Sequence, residues 1–545
     1  MEKIIDFLTT MSTVIGLSFG NTTTSIAYTK EGIIEVIANA DGDRDIPSML
    51  AYAHEDEFHG IQAKQQMIRN AANTIGYFRD LVSAKFSEID HTKTRRLSKP
   101  VETSDGAVGY EINGEIKHID QIIERQFTRI HEAARDYIGK EIDGVVLALP
   151  SDFPEHKRAK LLSIAEKSGL KIVQVIGELE SALLAHISRD NSRENKEQAD
   201  KLFVVADFGG TRSDAAVISC NSGIFTVLST LSDHSLGGRL LDESILTHLV
   251  KEFKELHKVD PSSDHRAIAK LLLEAETIRK TLSNSTSSQY GIDSVTQGLD
   301  FSGGINRLKY EITSRQVFTK FNAFIVSLLK KAEIDPFFID EVLLVGGVSW
   351  TPKIASTVGA VFDERTVIVS PSTDSKAIPP NELVARGCAI QGSIISNLDL
   401  EEVDQVDRLT SAEQLSKTIG VVVGDKSIPV LGKYTLIPTK KTVEIEATAD
   451  SLKIAEFEPK MEITIHKPEP KTEEEKKQAA EEDSDYDSED DDEWEEKNLR
   501  FEAEKTLAEV AIPIKNTVKV TLYITSNKTL QVSVTSNGQT VQGSV

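Results

Sequence analysis

The sequence predicts an α/β protein in which two similar lobes face one cleft and a separate β-rich region follows. Three observations predict it. A strand–turn–strand pattern occurs twice, at 13–28 and at 202–218, each time through a glycine-bearing turn and each time followed by alternating helical and strand-like segments. At 545 residues the chain exceeds what a single hydrophobic core usually organises. Beyond Ser396 the texture changes to Val, Ile and Thr alternation.

Taken in order, residues 1–12 read as an N-terminal extension, with Met11 a second plausible start. The first strand, Thr13–Gly20, breaks at Asn21-Thr22-Thr23-Thr24 and resumes at Ser25–Tyr28, which is a hairpin with a Gly/Asn/Thr turn. Ile119–Tyr137 has helical spacing. Val145–Leu149 is an apolar strand closed by Pro150, and the helix at His156–Ser168 has Pro154 and Glu155 at its start. The second hairpin joins Leu202–Asp207 to Ser213–Ile218 through Phe208-Gly-Gly-Thr-Arg212. Helical spacing then covers Ser244–His257, Ala267–Ser283 and Val317–Glu333, and the strand Glu341–Val345 runs into Gly346-Gly347. Residues 397–417 read as an acidic linker. From 418 to 545 the strand-like runs are Val421–Val423, Thr442–Ala447, Glu462–His466 and Val518–Thr525.

The formal charge of −24 is unevenly placed. Residues 469–497 hold 16 acids and 4 lysines, half of the whole excess. So polar a stretch cannot bury enough apolar area to offset its ordering entropy, and it is expected to be disordered. The acidic balance argues against direct nucleic-acid binding. Cys220 and Cys388 have no metal-ligand spacing, which fits a reducing compartment without disulfides. No basic-then-apolar leader and no apolar run of about 18 residues is visible, so no membrane association is expected and the cytosol is the expected location.

Chemistry is expected at the glycine-rich turns, because glycine lets backbone N–H groups approach phosphate closely. One such turn alone is more often a plain hairpin. Several together point to a nucleotide cleft: Gly20, Asn21 and Thr22 in the first hairpin; Gly209, Gly210, Thr211 and Arg212 in the second; and the pairs Gly237-Gly238 and Gly346-Gly347.

These turns, with Thr281–Ser285, Ile292–Ser294, Val345–Gly347, Pro352-Lys353 and Ile437–Lys440, resemble the matching runs of the DnaK-type heat-shock chaperone family from Ile15 to Ser533. The resemblance implies an actin-like two-lobed ATPase domain at 13–396, followed by a shortened, lidless β-sandwich-like domain, with ATP as cofactor. The departures from the family pattern matter more. Ser18 stands where the family has a metal-linked aspartate, and a neutral hydroxyl is a poor substitute for a carboxylate. Arg79 falls on the catalytic lysine, and its planar fork does not reproduce a compact ammonium. Thr211-Arg212 replaces the final Gly-Thr of the second loop. Glu178, Asp207 and Asp214 match family acids near metal and water.

With lysine, threonine and first aspartate all altered, no catalytic residue and little or no turnover are expected, and Mg²⁺ is left open. Adenosine-side residues match better: Glu276, Arg279, Lys280 and Ser283 on one helix face, and Trp350 in place of an arginine that stacks on adenine.

Within the family the chain most resembles the atypical subunit of the fungal ribosome-associated complex. That likeness implies a stable heterodimer with a J-domain protein of the zuotin type, association with the ribosome, and stimulation of a separate ribosome-bound active chaperone. Two alternatives stay open: an ATP-hydrolysing chaperone, favoured by the three retained acids, and a nucleotide-exchange factor, against which the missing helical C-terminus counts. A sugar kinase is disfavoured by the β-rich region after Lys417.

Overall fold

Strand β1 (Val14–Phe19) is buried at five of its six positions, which suits a central strand covered on both faces. It runs antiparallel to β2 (Thr23–Lys30), which pairs with β3 (Ile33–Ile37), and parallel to β4 (Gly144–Leu149), which pairs with β5 (Ile172–Gly177). The sheet order is therefore β5-β4-β1-β2-β3. The same arrangement recurs further on. β6 (Lys201–Phe208), β7 (Ser213–Asn221) and β8 (Ile224–Asp233) form an antiparallel meander. β9 (Glu341–Val345) and β10 (Val367–Val369) add in parallel, giving β8-β7-β6-β9-β10. The duplication expected from the paired hairpins is thus a duplication of whole sheets.

The computed structural model describes residues 13–90, 97–189, 201–221, 223–396, 414–446, 451–466, 494–511, 517–525, 527–536 and 539–545. The chain divides into two compact units, Met1–Leu409 and Thr410–Val545.

In the first unit, helices α1 (Ile119–Ile138) and α2 (Glu155–Lys167) pack on the first sheet, around Ile15, Leu17, Phe19 and Phe127. The longer helices α4 (Gly238–His257), α5 (His265–Asn284) and α6 (Arg315–Ala332) share a core with the second sheet, around Val204, Phe208, Phe253 and Phe321. All five helical segments expected from spacing are present, each shifted or extended by a few residues at its ends. Asp264 caps α5 by accepting from the amides of Arg266 and Ala267.

The lobes are joined by two further helices, α3 (Glu178–Ile187) and α7 (Leu383–Ile395). Their backbones approach so closely that a Cβ on Gly387 would lie 1.8 Å from the Ser181 carbonyl oxygen, and α7 lies so close to β1 that a Cβ on Gly16 would lie 2.3 Å from the Ala389 nitrogen. Glycine is required at both positions for steric reasons alone.

The second unit is a sandwich of two four-stranded sheets. One has the order β12 (Lys426–Leu431), β11 (Thr418–Val423), β14 (Ser451–His466), β15 (Trp494–Ala511). The other runs β13 (Thr439–Glu446), β16 (Thr517–Ile524), β17 (Leu530–Ser536), β18 (Gln539–Ser544). Alternating inward residues, among them Val421, Ile454, Val520, Leu522 and Val532, form its core.

Two boundaries differ from expectation. The linker expected at 397–417 ends sooner: Gln414 bridges Leu436 and Leu415 is buried in the sandwich core, because an apolar leucine there has a place to go. The remainder of that linker lies outside the described residues. The acidic stretch expected to be unstructured over 469–497 gives way to strand at Trp494. There the backbone of residues 494–497 pairs with 463–466, so strand hydrogen bonding outweighs local polarity. The rest of the stretch lies outside the described residues.

β11 meets β14 only between Lys453 and Phe457, so 458–466 and 494–502 continue as a two-stranded ribbon. Arg500 reaches Glu462 at 3.0 Å across this ribbon, and Lys460 pairs with Glu502. No described helix is long and apolar enough to cross a membrane.

Candidate functional site

A cavity of about 570 Å³ opens between the two sheets of the first unit, within the usual range for small-molecule sites. The two hairpin turns form its floor and close in the same way. The Gly20 N–H donates to the Thr23 carbonyl at 2.9 Å, and the Gly209 N–H donates to the Arg212 carbonyl at 3.0 Å. This leaves the amides of Asn21, Thr22, Gly210 and Thr211 without a partner among the described residues. The turns touch each other: Asn21 Nδ2 donates to Thr211 Oγ1 at 3.1 Å, and a Cβ on Gly210 would meet the Thr22 side chain at 2.5 Å. Unpaired N–H groups converging from two glycine-bearing turns suit an anion such as phosphate.

Two buried arginines stand beside the turns, and both are held by carboxylates of the chain itself. Arg79 is 2% exposed. Its Nε donates to Asp80 at 3.0 Å, and its Nη1 donates to Glu178 at 3.1 Å and to the Phe19 carbonyl at 3.2 Å. Arg212 is 6% exposed. Its Nε donates to Asp214 at 2.6 Å, and its Nη2 reaches both Asp214 and, at 2.6 Å, Asp152 on the opposite lobe. His234 also reaches Asp152, at 2.8 Å.

Burial pushes the Glu178 carboxyl up to about 8, outweighing the neighbouring Arg79, and pushes Asp207 up to about 7, with Asp214 adding to the shift. Arg79 keeps its charge, since the Asp80 carboxylate, joined by Glu178 when that group is ionised, outweighs the burial that works against it. At neutral pH the Arg79–Glu178 contact is therefore a guanidinium donating to a carboxyl that largely retains its proton.

At the other end of the cavity α5 contributes Glu276, Arg279 and Lys280. Glu276 bridges Lys280 at 2.9 Å and Lys64, from the opposite lobe, at 2.6 Å. Burial works to raise Glu276, but Lys64 and Lys280 outweigh it and hold the carboxyl below its usual range. Arg279 is buried against Asp242, with Nε at 2.6 Å. Gly346 and Gly347 line the same cavity, as does Ser18.

Three residues singled out in the sequence lie elsewhere. Ser283 turns back on its own helix and donates to the Arg279 carbonyl at 3.1 Å, as serine readily does within a helix. The Trp350 indole sits outside the cavity lining, its N–H donating to Asn381 Oδ1 at 2.9 Å. Gly237 packs against Gly210, where a Cβ would be 2.7 Å from the carbonyl oxygen. Gly238 does line the cavity, but its N–H is already taken by the Gly209 carbonyl at 2.9 Å. Conversely, Lys64, Asp152 and Asp242 escaped the sequence reading. Each acts through a partner far away in the chain, so no local spacing marks it.

A cleft between duplicated α/β sheets, floored by two glycine turns and followed by a β-sandwich, defines the class: a two-lobed domain of the actin-like ATPase architecture joined to a β-sandwich domain. The chain belongs to the Hsp70 family, whose model, described as Hsp70 protein, matches residues 14–480. Among its relatives, the ribosome-associated complex subunit SSZ1 of Saccharomyces cerevisiae is 41% identical over 456 residues, covering 82% of this chain and 84% of the relative. A heat shock protein 70 homologue of Schizosaccharomyces pombe is 33% identical over 479 residues, covering 85% and 84%. The ribosome-associated molecular chaperone SSB of Candida glabrata is 30% identical over 449 residues, covering 81% and 71%.

Proposed function

We propose that this chain is a non-cycling Hsp70-family co-chaperone that holds ATP with little or no hydrolysis. It pairs stably with a J-domain protein of the zuotin type in the cytosol. At the ribosome the pair stimulates a separate active chaperone that folds nascent chains. In this reading residues 13–396 hold the nucleotide. The free amides of Asn21, Thr22, Gly210 and Thr211 receive phosphate oxygens, and Glu276 and Lys280 lie at the adenosine end. The sandwich from 418 to 545 is a relative of the family's peptide domain.

The observation that carries the proposal is the state of the phosphate end. Hydrolysis needs a cation positioned on the γ-phosphate and a group that orients the attacking water. Here those positions are Arg79 and Arg212, both buried and both engaged by Glu178, Asp80, Asp214 and Asp152. Groups held in this way can support a bound ligand but are poorly placed to follow a reaction. The 41% identity to a ribosome-associated complex subunit supports the ribosomal setting.

The test is affinity capture of the tagged full chain from its own cells. A J-domain protein recovered in equimolar amount, with ribosomes co-sedimenting through that pair, is expected. A chain recovered alone and free of ribosomes contradicts the proposal.

A further inference from the structure

The charged groups at the phosphate end do not suit a divalent cation. Three acidic side chains lie there, Glu178, Asp207 and Asp214. Arg212 engages both oxygens of Asp214, and Ser232 Oγ donates to Oδ1 of the same group at 2.6 Å. Arg79 takes Glu178. Only Asp207 accepts no side-chain hydrogen bond among the described residues, and Ser18 on the neighbouring strand is uncharged. A Mg²⁺ ion would find one free carboxylate and would face two buried guanidinium charges that repel it. No group of three or more His, Cys, Asp or Glu side chains among the described residues is arranged to hold a metal.

We propose that the cleft takes its nucleotide without a divalent cation, and that Arg212 supplies the positive charge in the metal's place. This rests on the nucleotide reading above. Two features of Arg212 fit the role. Its Nε and Nη2 are fixed by Asp214 and Asp152, so the guanidinium is pre-oriented and ties the two lobes together across the floor of the cleft. The forked Nε/Nη2 edge is taken by Asp214, but its Nη1 has no partner among the described residues and remains available to donate to a phosphate oxygen. The amides of Gly210 and Thr211, in the same turn, face the same ligand. Arg79, buried at the other side of the floor, adds a second fixed positive charge. Because these charges are part of the fold, they cannot leave with a product, as a hydrated metal can.

The test is calorimetric titration of the full-length protein, stripped of nucleotide, with ATP in excess EDTA and again in millimolar Mg²⁺. The dissociation constants are expected to agree within about threefold. Arg212→Thr should weaken binding in EDTA by tenfold or more and recover part of that loss when Mg²⁺ is added. Asp152→Asn, which keeps the guanidinium but loosens its anchor, should fall between the two in EDTA. Wild-type binding that appears only with Mg²⁺ overturns the inference and leaves the nucleotide reading intact. No binding in either buffer overturns the nucleotide reading, and this inference with it. The wild-type comparison needs no substitution, so a poorly folded variant does not decide the matter.

Discussion

Replacing Arg79 by methionine removes a buried guanidinium while keeping most of its length. Breaking a buried ion pair costs roughly 3–5 kcal/mol, chiefly because a charge is left without a partner. The partners here lower that figure. Glu178, pushed up to about 8 by burial, can remain neutral at pH 7 without Arg79. Asp80 is 24% exposed at its side chain and can turn to water. The Phe19 carbonyl loses one donor. The lower end of the range, about 3 kcal/mol, is therefore expected.

The chain's two tryptophans, Trp350 and Trp494, lie in different units. In a Trp494→Phe background the fluorescence of Trp350 follows urea unfolding of the first unit alone. Combining Arg79→Met with Glu178→Gln makes the argument sharper. If Glu178 holds its proton, the two changes should be nearly additive at pH 7, with a coupling below about 1 kcal/mol, and the coupling should grow at pH 9 as the carboxyl ionises. A loss below about 0.5 kcal/mol for Arg79→Met, or a strong coupling at pH 7, refutes the reasoning.

Three further outcomes are expected. Glu178 and Asp207 have folded-state pKa values above those of the unfolded chain. The folded state therefore binds more protons from the ordinary carboxylate range up to about 8, and its stability should fall as pH rises through that window. Urea midpoints at pH 5.5 and 8.5 should show the fall, and Glu178→Gln should shrink it. Gly387→Ala places a methyl 1.8 Å from the Ser181 carbonyl oxygen and should cost about 3 kcal/mol or more. Gly291→Ala, at a first-unit position with nothing within 4 Å of an added Cβ, should be near neutral in the same denaturation assay. Lys64→Ala removes the lobe-to-lobe contact with Glu276, whose side chains are 19% and 22% exposed. At about 1 kcal/mol the loss should speed release of a fluorescent ATP analogue roughly fivefold in stopped flow.

Much of the framework is legible in the sequence because its signals are local. The strands at Thr13–Gly20 and Leu202–Asp207 are short apolar runs ending in glycine turns, and α1, α4, α5 and α6 show regular helical spacing. What escaped is what depends on distant partners. α3 begins after Gly177 with two acids, Glu178 and Glu180, and does not read as a buried helix, yet it is buried because α7 crosses it at Gly387. The hairpin of Ser287–Thr296 and Leu299–Asn306 alternates in burial, but its serines and glycines dilute the apolar signal of Tyr290, Ile292, Phe301 and Ile305 in the sequence.

The site shows the same division. Gly20, Asn21, Gly209 and Gly210 are marked by turn chemistry, whereas Arg79 and Arg212 each pair with one neighbouring acid, Asp80 and Asp214, and with one distant acid that no local pattern marks. Asp152 lies 60 residues from Arg212, and Glu178 lies 99 residues from Arg79. Trp350 is a further instance. An indole at a strand end suggests stacking on a base, and what the sequence does not show is that its N–H is held by Asn381, 31 residues away.

The central claim is that this cleft keeps ATP rather than consuming it. Single-turnover measurement tests it most directly: full-length protein is loaded with γ-labelled ATP, freed of excess nucleotide, and sampled over hours with its J-domain partner present. The bound label should be recovered as intact ATP throughout. Conversion to ADP and phosphate at the rate of an ordinary Hsp70 would contradict the account.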